Sequence, residues 1–152
     1  LRTGHDRTTL LTLDDYATAL TFSPDGAVLV TESHTAAGGQ VRVWDVGTWT
    51  EARVITLTDD YYVAFSPSGD RLAVASPTEY AWGVAVWDTG TWQEVWHADT
   101  DCGSLWGCGV MDLAYTPDGA WLALASTVGV NLTPTPYSRS SSVVPPSPSG
   151  TW

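Results

Sequence analysis

Short apolar runs alternate with polar, turn-forming residues along most of the chain. Three of these runs end at the related phrases FSPDG (22–26), FSPSG (65–69) and YTPDG (115–119), and a second apolar run follows each phrase. Such short runs, rich in Val, Leu, Ala and aromatic residues, are typical of β-strands and are too short for helices. The pattern therefore predicts three pairs of strands, each joined at one of these phrases.

The residues of the three phrases are suited to hairpin turns. Proline fixes φ at about −65° in the first central position of a turn, and Asp or Ser suits the second position. The glycine that follows accepts the left-handed conformation that closes such a turn. We therefore expect the two strands that flank each phrase to be antiparallel neighbours.

A longer phrase is also repeated and extends the predicted unit. VRVWDVGTW starts at residue 41 and VAVWDTGTW at residue 84, which is 43 residues later, and the first two turn phrases have the same offset. Val-x-Val-Trp-Asp predicts a third strand, and Gly-Thr-Trp predicts a turn into a fourth strand, TEARVITL or QEVWHAD. The repeating unit is therefore expected to contain four antiparallel strands.

This arrangement of strands, turns and Trp-Asp phrases resembles the WD-repeat family, whose repeats of about 40–45 residues form the blades of a β-propeller. The resemblance implies an all-β fold with four antiparallel strands in each blade. It also implies an incomplete, open propeller, because about three blades are present and propellers close with about four to eight. Trp44 and Trp87 are then expected in the core, and Asp45 and Asp88 in turns.

Two features depart from the family pattern. The family's Gly-His does not precede the first strands, where TLDDY and TLTDDYY stand instead, and no acidic residue stands just before the third strands. The His–Asp hydrogen-bond network of many WD-repeat proteins is therefore expected to be absent. Stability would depend more on the packing of Trp44 and Trp87 between blades.

The third copy of the Trp-Asp phrase is missing. The spacing of the earlier copies leads to Tyr137, whose neighbours Pro134 and Pro136 do not fit a paired central strand. We therefore predict propeller blades over residues 1–131 and a Ser/Pro/Thr-rich tail, or a loop that interrupts the last blade, over residues 132–152. The remaining blades would come from the same chain or from other copies.

Asp-Asp-Tyr recurs in the loops that join the last strand of one blade to the first strand of the next. In the family these loops share one side of the disc, the top face, with the loops between second and third strands. Those latter loops, SHTAAGGQ and PTEYAWG, are about three residues longer than usual here, and insertions in repeat proteins often mark the binding side. We predict an acidic rim on the top face, the alternative being solvated turn aspartates. The rim consists of Asp14, Asp15, Tyr16, Asp59, Asp60 and Tyr61.

Two cysteines enclose the inserted phrase CGSLWGC. Cys102 and Cys108 are close enough in sequence to form a disulfide, which would restrict this loop, and free thiols are the alternative. A metal site with His97, Asp99 and Asp101 is a third alternative, although the spacing differs from common zinc motifs. We predict no metal and no cofactor.

The composition is that of a folded, acidic protein. Hydrophobic residues make up 43% of the 152 positions, and 17 acidic residues face six basic ones, all arginines, for a net charge of −11. This charge argues against binding to nucleic acid or to an anionic membrane surface. No apolar run is long enough to span a membrane. A basic partner, a cation or a role in solubility is compatible with the charge.

The function that these features predict is a non-catalytic scaffold. The sequence contains no Gly-x-Ser-x-Gly elbow, no phosphate-binding glycine loop and no paired zinc-ligand motif. The resemblance implies binding of a protein or peptide through the top-face loops. The alternative is a propeller sensor or enzyme domain that binds a small ligand or metal near the central channel. The partner, the number of blades and the cellular compartment do not follow from the sequence.

Overall fold

The computed structural model describes residues 17–35, 38–56, 62–77, 82–100, 110–126 and 129–135. Over these residues the chain is all-β, with three antiparallel sheets in which sequential strands are neighbours. Blade 1 contains β1 (Ala17–Phe22), β2 (Val28–Thr35), β3 (Gly38–Asp45) and β4 (Thr50–Thr56). Blade 2 contains β5 (Tyr62–Phe65), β6 (Arg71–Pro77), β7 (Trp82–Asp88) and β8 (Gln93–Thr100). Blade 3 contains β9 (Val110–Tyr115), β10 (Trp121–Ser126) and β11 (Gly129–Pro134). The predicted fold class and the four-stranded repeat are confirmed.

Strand register shows which positions of the three blades are equivalent. In each blade the last residue of the first strand pairs with a leucine of the second, and that leucine pairs with a residue of the third. The three sets are Phe22, Leu29 and Trp44; Phe65, Leu72 and Trp87; and Tyr115, Leu122 and Thr133. Thr133 and Pro134 therefore occupy the Trp-Asp position of blade 3.

The expectation that this position lies near Tyr137 is wrong, and Tyr137 itself lies outside the described residues. The β10–β11 hairpin is tight, with Ser126 opposite Gly129, so the third strand starts earlier than in the other blades. Pro134 fits the end of β11 because Thr135 N donates to Ala120 O (3.0 Å). N–H groups of successive strand residues point to opposite sides, so the nitrogen of Pro134 faces away from β10. The strand continues past residue 131, the boundary predicted for the tail.

Of the two segments expected as long top-face loops, SHTAAGGQ is mostly strand, and PTEYAWG is strand at Pro77, Trp82 and Gly83; residues 36–37 and 78–81 lie outside the described residues. Thr35 pairs with Gly38 in blade 1, so only two residues connect β2 to β3. In blade 2, Pro77 pairs with Trp82 across the corresponding hairpin. Gly, Ser and His are typical of loops, but here they lie on extended strands because cross-strand backbone pairing outweighs their weak strand propensity.

The core lies between the blades, because alternate residues of each strand face opposite neighbours. β5 packs against β1 and β2, and β9 packs against β5 and β6, so the first strands of the blades lie side by side. One cluster joins Val30, Val41, Val43 and Ile55 of blade 1 to Leu72 and Val74 of blade 2. The other joins Ala73, Ala75, Val84 and Val86 of blade 2 to Val110, Leu113, Leu122 and Leu124 of blade 3. Each fully buried valine or leucine contributes about 1.5–3 kcal/mol, so the blade contacts stabilise the molecule as a unit.

Candidate functional site

The predicted acidic rim connects to one side of the blades. Asp14, Asp15, Tyr16, Asp59, Asp60 and Tyr61 all lie outside the described residues. The strands that follow them, β1 from Ala17 and β5 from Tyr62, lie side by side. Both loops therefore enter the blades on the same side. The β2–β3 and β6–β7 hairpins share that side because consecutive strands are antiparallel.

The cysteine loop also connects to this side. Cys102 and Cys108 lie outside the described residues, between the end of β8 at Thr100 and the start of β9 at Val110. Of the residues offered as metal ligands beside them, His97 has its Nδ1 3.1 Å from Glu94 Oε1. No group of three or more His, Cys, Asp or Glu side chains within the described ranges could hold a metal ion.

The opposite side of the blades, the turn face, carries the Pro-containing turns. In blade 1, Val28 N donates to Ser23 Oγ (2.9 Å), and Ser23 Oγ donates to Asp25 Oδ1 (2.6 Å). Gly26 closes the turn with φ of 71°. The hydrogen bond from the Ser23 hydroxyl is the main reason that the pKa of Asp25 is lowered. The turn is therefore built around an ionised carboxylate.

Blade 2 builds the same turn from different residues. Ser68 replaces the aspartate at the second central position, and Asp70 supplies the carboxylate from two residues further along. Ser66 Oγ donates to Asp70 Oδ1 (3.0 Å), as does Ser68 Oγ. The bond from Ser68 is the main cause of the lowered pKa of Asp70. The carboxylate is thus kept although its position in the sequence has changed.

The turns of neighbouring blades lie against one another. A Cβ atom added at Gly69 would lie 3.3 Å from Pro24 Cδ, and one added at Gly119 would lie 3.6 Å from Pro67 Cδ. At Gly26 nothing lies within 4 Å of such an atom. The three turns therefore form a row on the turn face, with the contact between blades 1 and 2 the tighter one.

Asp45 and Asp88 of the Trp-Asp phrases lie in the turns that lead to the fourth strands. Asp45 Oδ1 accepts hydrogen bonds from Thr48 N (2.7 Å) and Thr48 Oγ1 (2.8 Å). Asp88 Oδ1 accepts from Thr91 N (2.8 Å) and Thr91 Oγ1 (3.0 Å). The Thr48 hydroxyl is the first cause of the lowered pKa of Asp45, and the Thr91 N–H that of Asp88. Both carboxylates therefore bind their own turns.

The tryptophans differ in their surroundings. Trp44 is buried, and its Nε1 donates to Thr31 Oγ1 (3.0 Å). Trp87 packs against the core between blades 1 and 2, where its Nε1 is buried without a hydrogen-bond partner. Trp49 and Trp92 end the turns with φ of 55°, a left-handed conformation that is rare for bulky residues. Trp92 also packs against that core, whereas Trp49 is exposed.

A polar cleft of about 130 Å³ lies between blades 2 and 3 at the turn face. Arg71 lines it and donates from Nη1 to Asp88 Oδ2 (2.7 Å). The hydroxyl of Tyr115 is buried in it without a hydrogen-bond partner, and burial raises the pKa of Tyr115 to about 12. The register places Val28 and Phe65 at the equivalent positions between blades 1 and 2. Sequence reasoning missed this cleft. The sequence feature that could have indicated it is the presence of Arg71 and Tyr115 where the preceding junction has the apolar residues Val28 and Phe65.

The row of antiparallel meanders, two with four strands and one with three described strands, defines the class of fold, which is that of β-propeller blades. The family model of the WD domain, G-beta repeat, matches residues 2–45. The resemblance to this family is therefore confirmed over these residues. Within the described part of the chain there is no helix long and apolar enough to span a membrane.

Solved structures with the same fold are distant in sequence. TolB from Acinetobacter baumannii matches with a TM-score of 0.67 and 18% identity, over 90% of this chain and 34% of that one. A proposed 6-phosphogluconolactonase from Bacteroides fragilis matches at 0.58 and 21%, over 72% and 31%. The hydrazine synthase of Kuenenia stuttgartiensis matches at 0.56 and 17%, over 70% and 36%. This chain spans about a third of the length of these structures. No curated protein matches it.

Proposed function

We propose that this chain is a non-catalytic interaction scaffold whose WD-repeat blades bind a protein or peptide through the acidic rim of the top face. The observation that supports this most directly is the position of β1 and β5. These strands lie side by side, and each begins directly after an Asp-Asp-Tyr loop. Two like-charged loops that enter from one side concentrate negative potential there.

The chemistry of the rim suits a basic partner. Each loop contributes two carboxylates and one tyrosine, and the chain as a whole carries a charge of −11. Carboxylates bind lysine and arginine side chains by charge-assisted hydrogen bonds, and tyrosine offers both an apolar ring and a hydroxyl. A short segment with spaced basic residues would match this pattern.

The proposal that the scaffold is non-catalytic rests on the sequence motifs and not on the similar structures. The proposed 6-phosphogluconolactonase is 21% identical, and a likeness of that kind extends to the fold alone. The described carboxylates of the turn face accept hydrogen bonds from their own turns, as Asp45 and Asp88 do. We assign them a structural role.

The test is binding of fluorescent, lysine- and arginine-rich peptides to the 152-residue chain, with glutamate versions of the same peptides as probe controls. Asp14→Asn combined with Asp59→Asn removes one charge from each rim loop. We expect this pair to weaken binding about tenfold, equivalent to about 1.4 kcal/mol, and to flatten the salt dependence.

The matched control removes the same charge from the other side. Asp25→Asn combined with Asp118→Asn changes two turn-face aspartates, and asparagine retains the turn hydrogen bonds. This pair should bind the basic peptides as the original chain does. Equal loss in both pairs, or no binding of any basic peptide by the original chain, would refute the proposal.

A further inference from the structure

The polar cleft between blades 2 and 3 has no part in the proposed top-face interaction, because it lies at the turn face. Blade 2 lines it with its first turn and the start of β6, and blade 3 lines it with the end of β9 and the turn that follows. Its volume of about 130 Å³ is smaller than the pockets of about 300–1,000 Å³ that hold drug-sized ligands. The cleft therefore suits one small group of a ligand.

The hydroxyl of Tyr115 is buried in this cleft at a cost. Its oxygen has no hydrogen-bond partner, and an unpaired buried group of this kind costs about 1–3 kcal/mol. Phe65, the equivalent residue of blade 2, shows that this position accepts the same ring without the hydroxyl. Buried polar groups are normally paired, and exceptions are expected at functional sites. A bound molecule that pairs with the hydroxyl would explain this exception.

Hydroxyl groups are the most frequent polar groups of the cleft. Four residues contribute one each to its lining: Ser66, Ser68, Tyr115 and Thr135. Ser66 and Thr135 are only 4% and 8% exposed, so two of these side chains are held within the folded blades. A hydroxyl both donates and accepts hydrogen bonds. A lining of this kind therefore suits a ligand that also does both.

The charged groups of the lining have both signs. Arg71 is a cation, and hydroxyl hydrogen bonds within their own turns are the main reason that the pKa values of Asp70 and Asp118 are lowered. Burial raises the pKa of Tyr115 to about 12, and the charges of Arg71 and Asp70 act on it in opposite directions. An anionic ligand would face the two carboxylates, and a cationic ligand would face the guanidinium. A neutral ligand avoids both repulsions.

We propose that this cleft binds a neutral vicinal diol, the group that sugar rings and open-chain polyols share. One hydroxyl of the diol exchanges a hydrogen bond with the hydroxyl of Tyr115. Its neighbour accepts from the guanidinium of Arg71 or donates to the carboxylate of Asp70, and both bonds are charge-assisted. Val86 offers an apolar contact to the C–H groups of the ligand. The inference does not rest on the acidic rim, which lies on the opposite side of the blades.

The test is an NMR titration of the isotope-labelled 152-residue chain with glycerol and with methyl glucoside. We expect both probes to shift the backbone amide signals of Arg71 and Tyr115, with dissociation constants in the millimolar range, because few hydrogen bonds form. Tighter binding of the glucoside would identify a sugar ring as the source of the diol, and tighter binding of glycerol an open-chain polyol. Gluconate and glucosamine, which carry opposite charges, should shift these signals less.

Tyr115→Phe removes the hydroxyl and keeps the ring. This variant should raise the dissociation constants of both probes about five- to tenfold, because one hydrogen bond to the ligand is lost. Its melting temperature should not fall, because the hydroxyl has no partner in the unbound chain. The two readouts together separate a binding role from a structural one.

The matched control is Tyr62→Phe. Tyr62 packs against the same apolar core as Tyr115 but lies outside the lining of the cleft. This variant should bind both probes as the original chain does. Asp14→Asn combined with Asp59→Asn should also leave probe binding unchanged, so failure of the cleft and failure of the rim are distinguishable.

Several results would overturn the inference. They are no shift of the Arg71 and Tyr115 signals by either neutral probe, tighter binding of gluconate or glucosamine, and unchanged probe binding by Tyr115→Phe. Equal weakening by Tyr62→Phe would do the same, because the loss would then not depend on the cleft. A lower melting temperature of Tyr115→Phe would assign the hydroxyl to stability instead of binding.

Discussion

The two junctions between blades share one register but have different chemistry at the turn face. Between blades 1 and 2, Val28 and Phe65 both pack against the apolar core. Between blades 2 and 3, Arg71 and Tyr115 occupy the equivalent positions and line a polar cleft. A blade junction therefore needs apolar residues in its centre, whereas its turn-face end accepts apolar or polar residues. The apolar centre of the junction thus holds the repeats together, and the residues at its turn-face end are free to vary.

The largest expected effect concerns the leucines at the centres of the two junctions. Leu72 and Leu122 are equivalent in register and fully buried. Replacing either by alanine should lower the free energy of unfolding by about 2–5 kcal/mol. Leu72→Ala should cost more, because Leu72 packs within the apolar core between blades 1 and 2, whereas the cleft beside Tyr115, the strand partner of Leu122, lets the surroundings of Leu122 relax. Urea unfolding of both variants checks the order, and a larger loss for Leu122→Ala would contradict it.

Adding a hydroxyl group at position 65 and removing the one at position 115 compares the turn-face ends of the two junctions directly. Phe65→Tyr introduces a hydroxyl at the apolar core between blades 1 and 2 and should lower the free energy of unfolding by about 1–3 kcal/mol. Tyr115→Phe removes a buried hydroxyl without a partner and should raise stability by up to about 1 kcal/mol. A clear loss of stability in Tyr115→Phe would mean that the hydroxyl is solvated by water in the cleft.

The glycines of the turn row report on how tightly adjacent turns contact each other. Gly69 and Gly26 have similar φ values of 76° and 71°, so alanine costs about 1–2 kcal/mol of backbone strain at either position. At Gly69 the added methyl group would also press on Pro24 Cδ, whereas at Gly26 it meets nothing. Thermal melting should therefore show a lower Tm for Gly69→Ala than for Gly26→Ala. Equal melting temperatures would mean that the turns move apart at no cost.

Acid should weaken the second junction before the first. Hydrogen bonds of the turns lower the pKa values of Asp25, Asp45, Asp70 and Asp88 alike, but of these four carboxylates Asp70 and Asp88 also face the positive charge of Arg71. Their contribution to stability is present above the ordinary aspartate pKa near 3.8 and is lost as pH falls through the lowered values. Hydrogen exchange from pH 5 to 3 should show β9 and β10 losing protection before β1 and β2, an order that Asp88→Asn should diminish.

The fold was predictable from the sequence because the repeated phrases have a local cause. Proline, a small polar residue and glycine form the same turn wherever they occur together, and apolar runs between such turns have few alternatives to strands. The third Trp-Asp position was not predictable by counting. Its location depends on a hairpin shortened at Ser126. The residue types of Thr133 and Pro134 do not indicate that these two residues occupy the Trp-Asp position.

The candidate sites, too, were predictable from the sequence only in part. The cleft could have been suspected, because an alignment of the repeats gives Arg71 the position that Val28 has in blade 1. The same alignment gives Tyr115 the position that Phe65 has in blade 2. Its depth and the buried hydroxyl depend on how two blades pack, which no single repeat encodes. The one-sided clustering of the Asp-Asp-Tyr loops follows from strand alternation alone. Their binding role stays a prediction.

Pro134 has a consequence for solubility. It ends β11, the outermost strand of the third sheet as described, with its nitrogen directed away from β10. An exposed strand edge is a template on which unrelated chains can polymerise, and a proline there removes one of the amide donors that such growth requires. The proline at the position of the family's aspartate therefore leaves this edge of β11 without one backbone donor at its end.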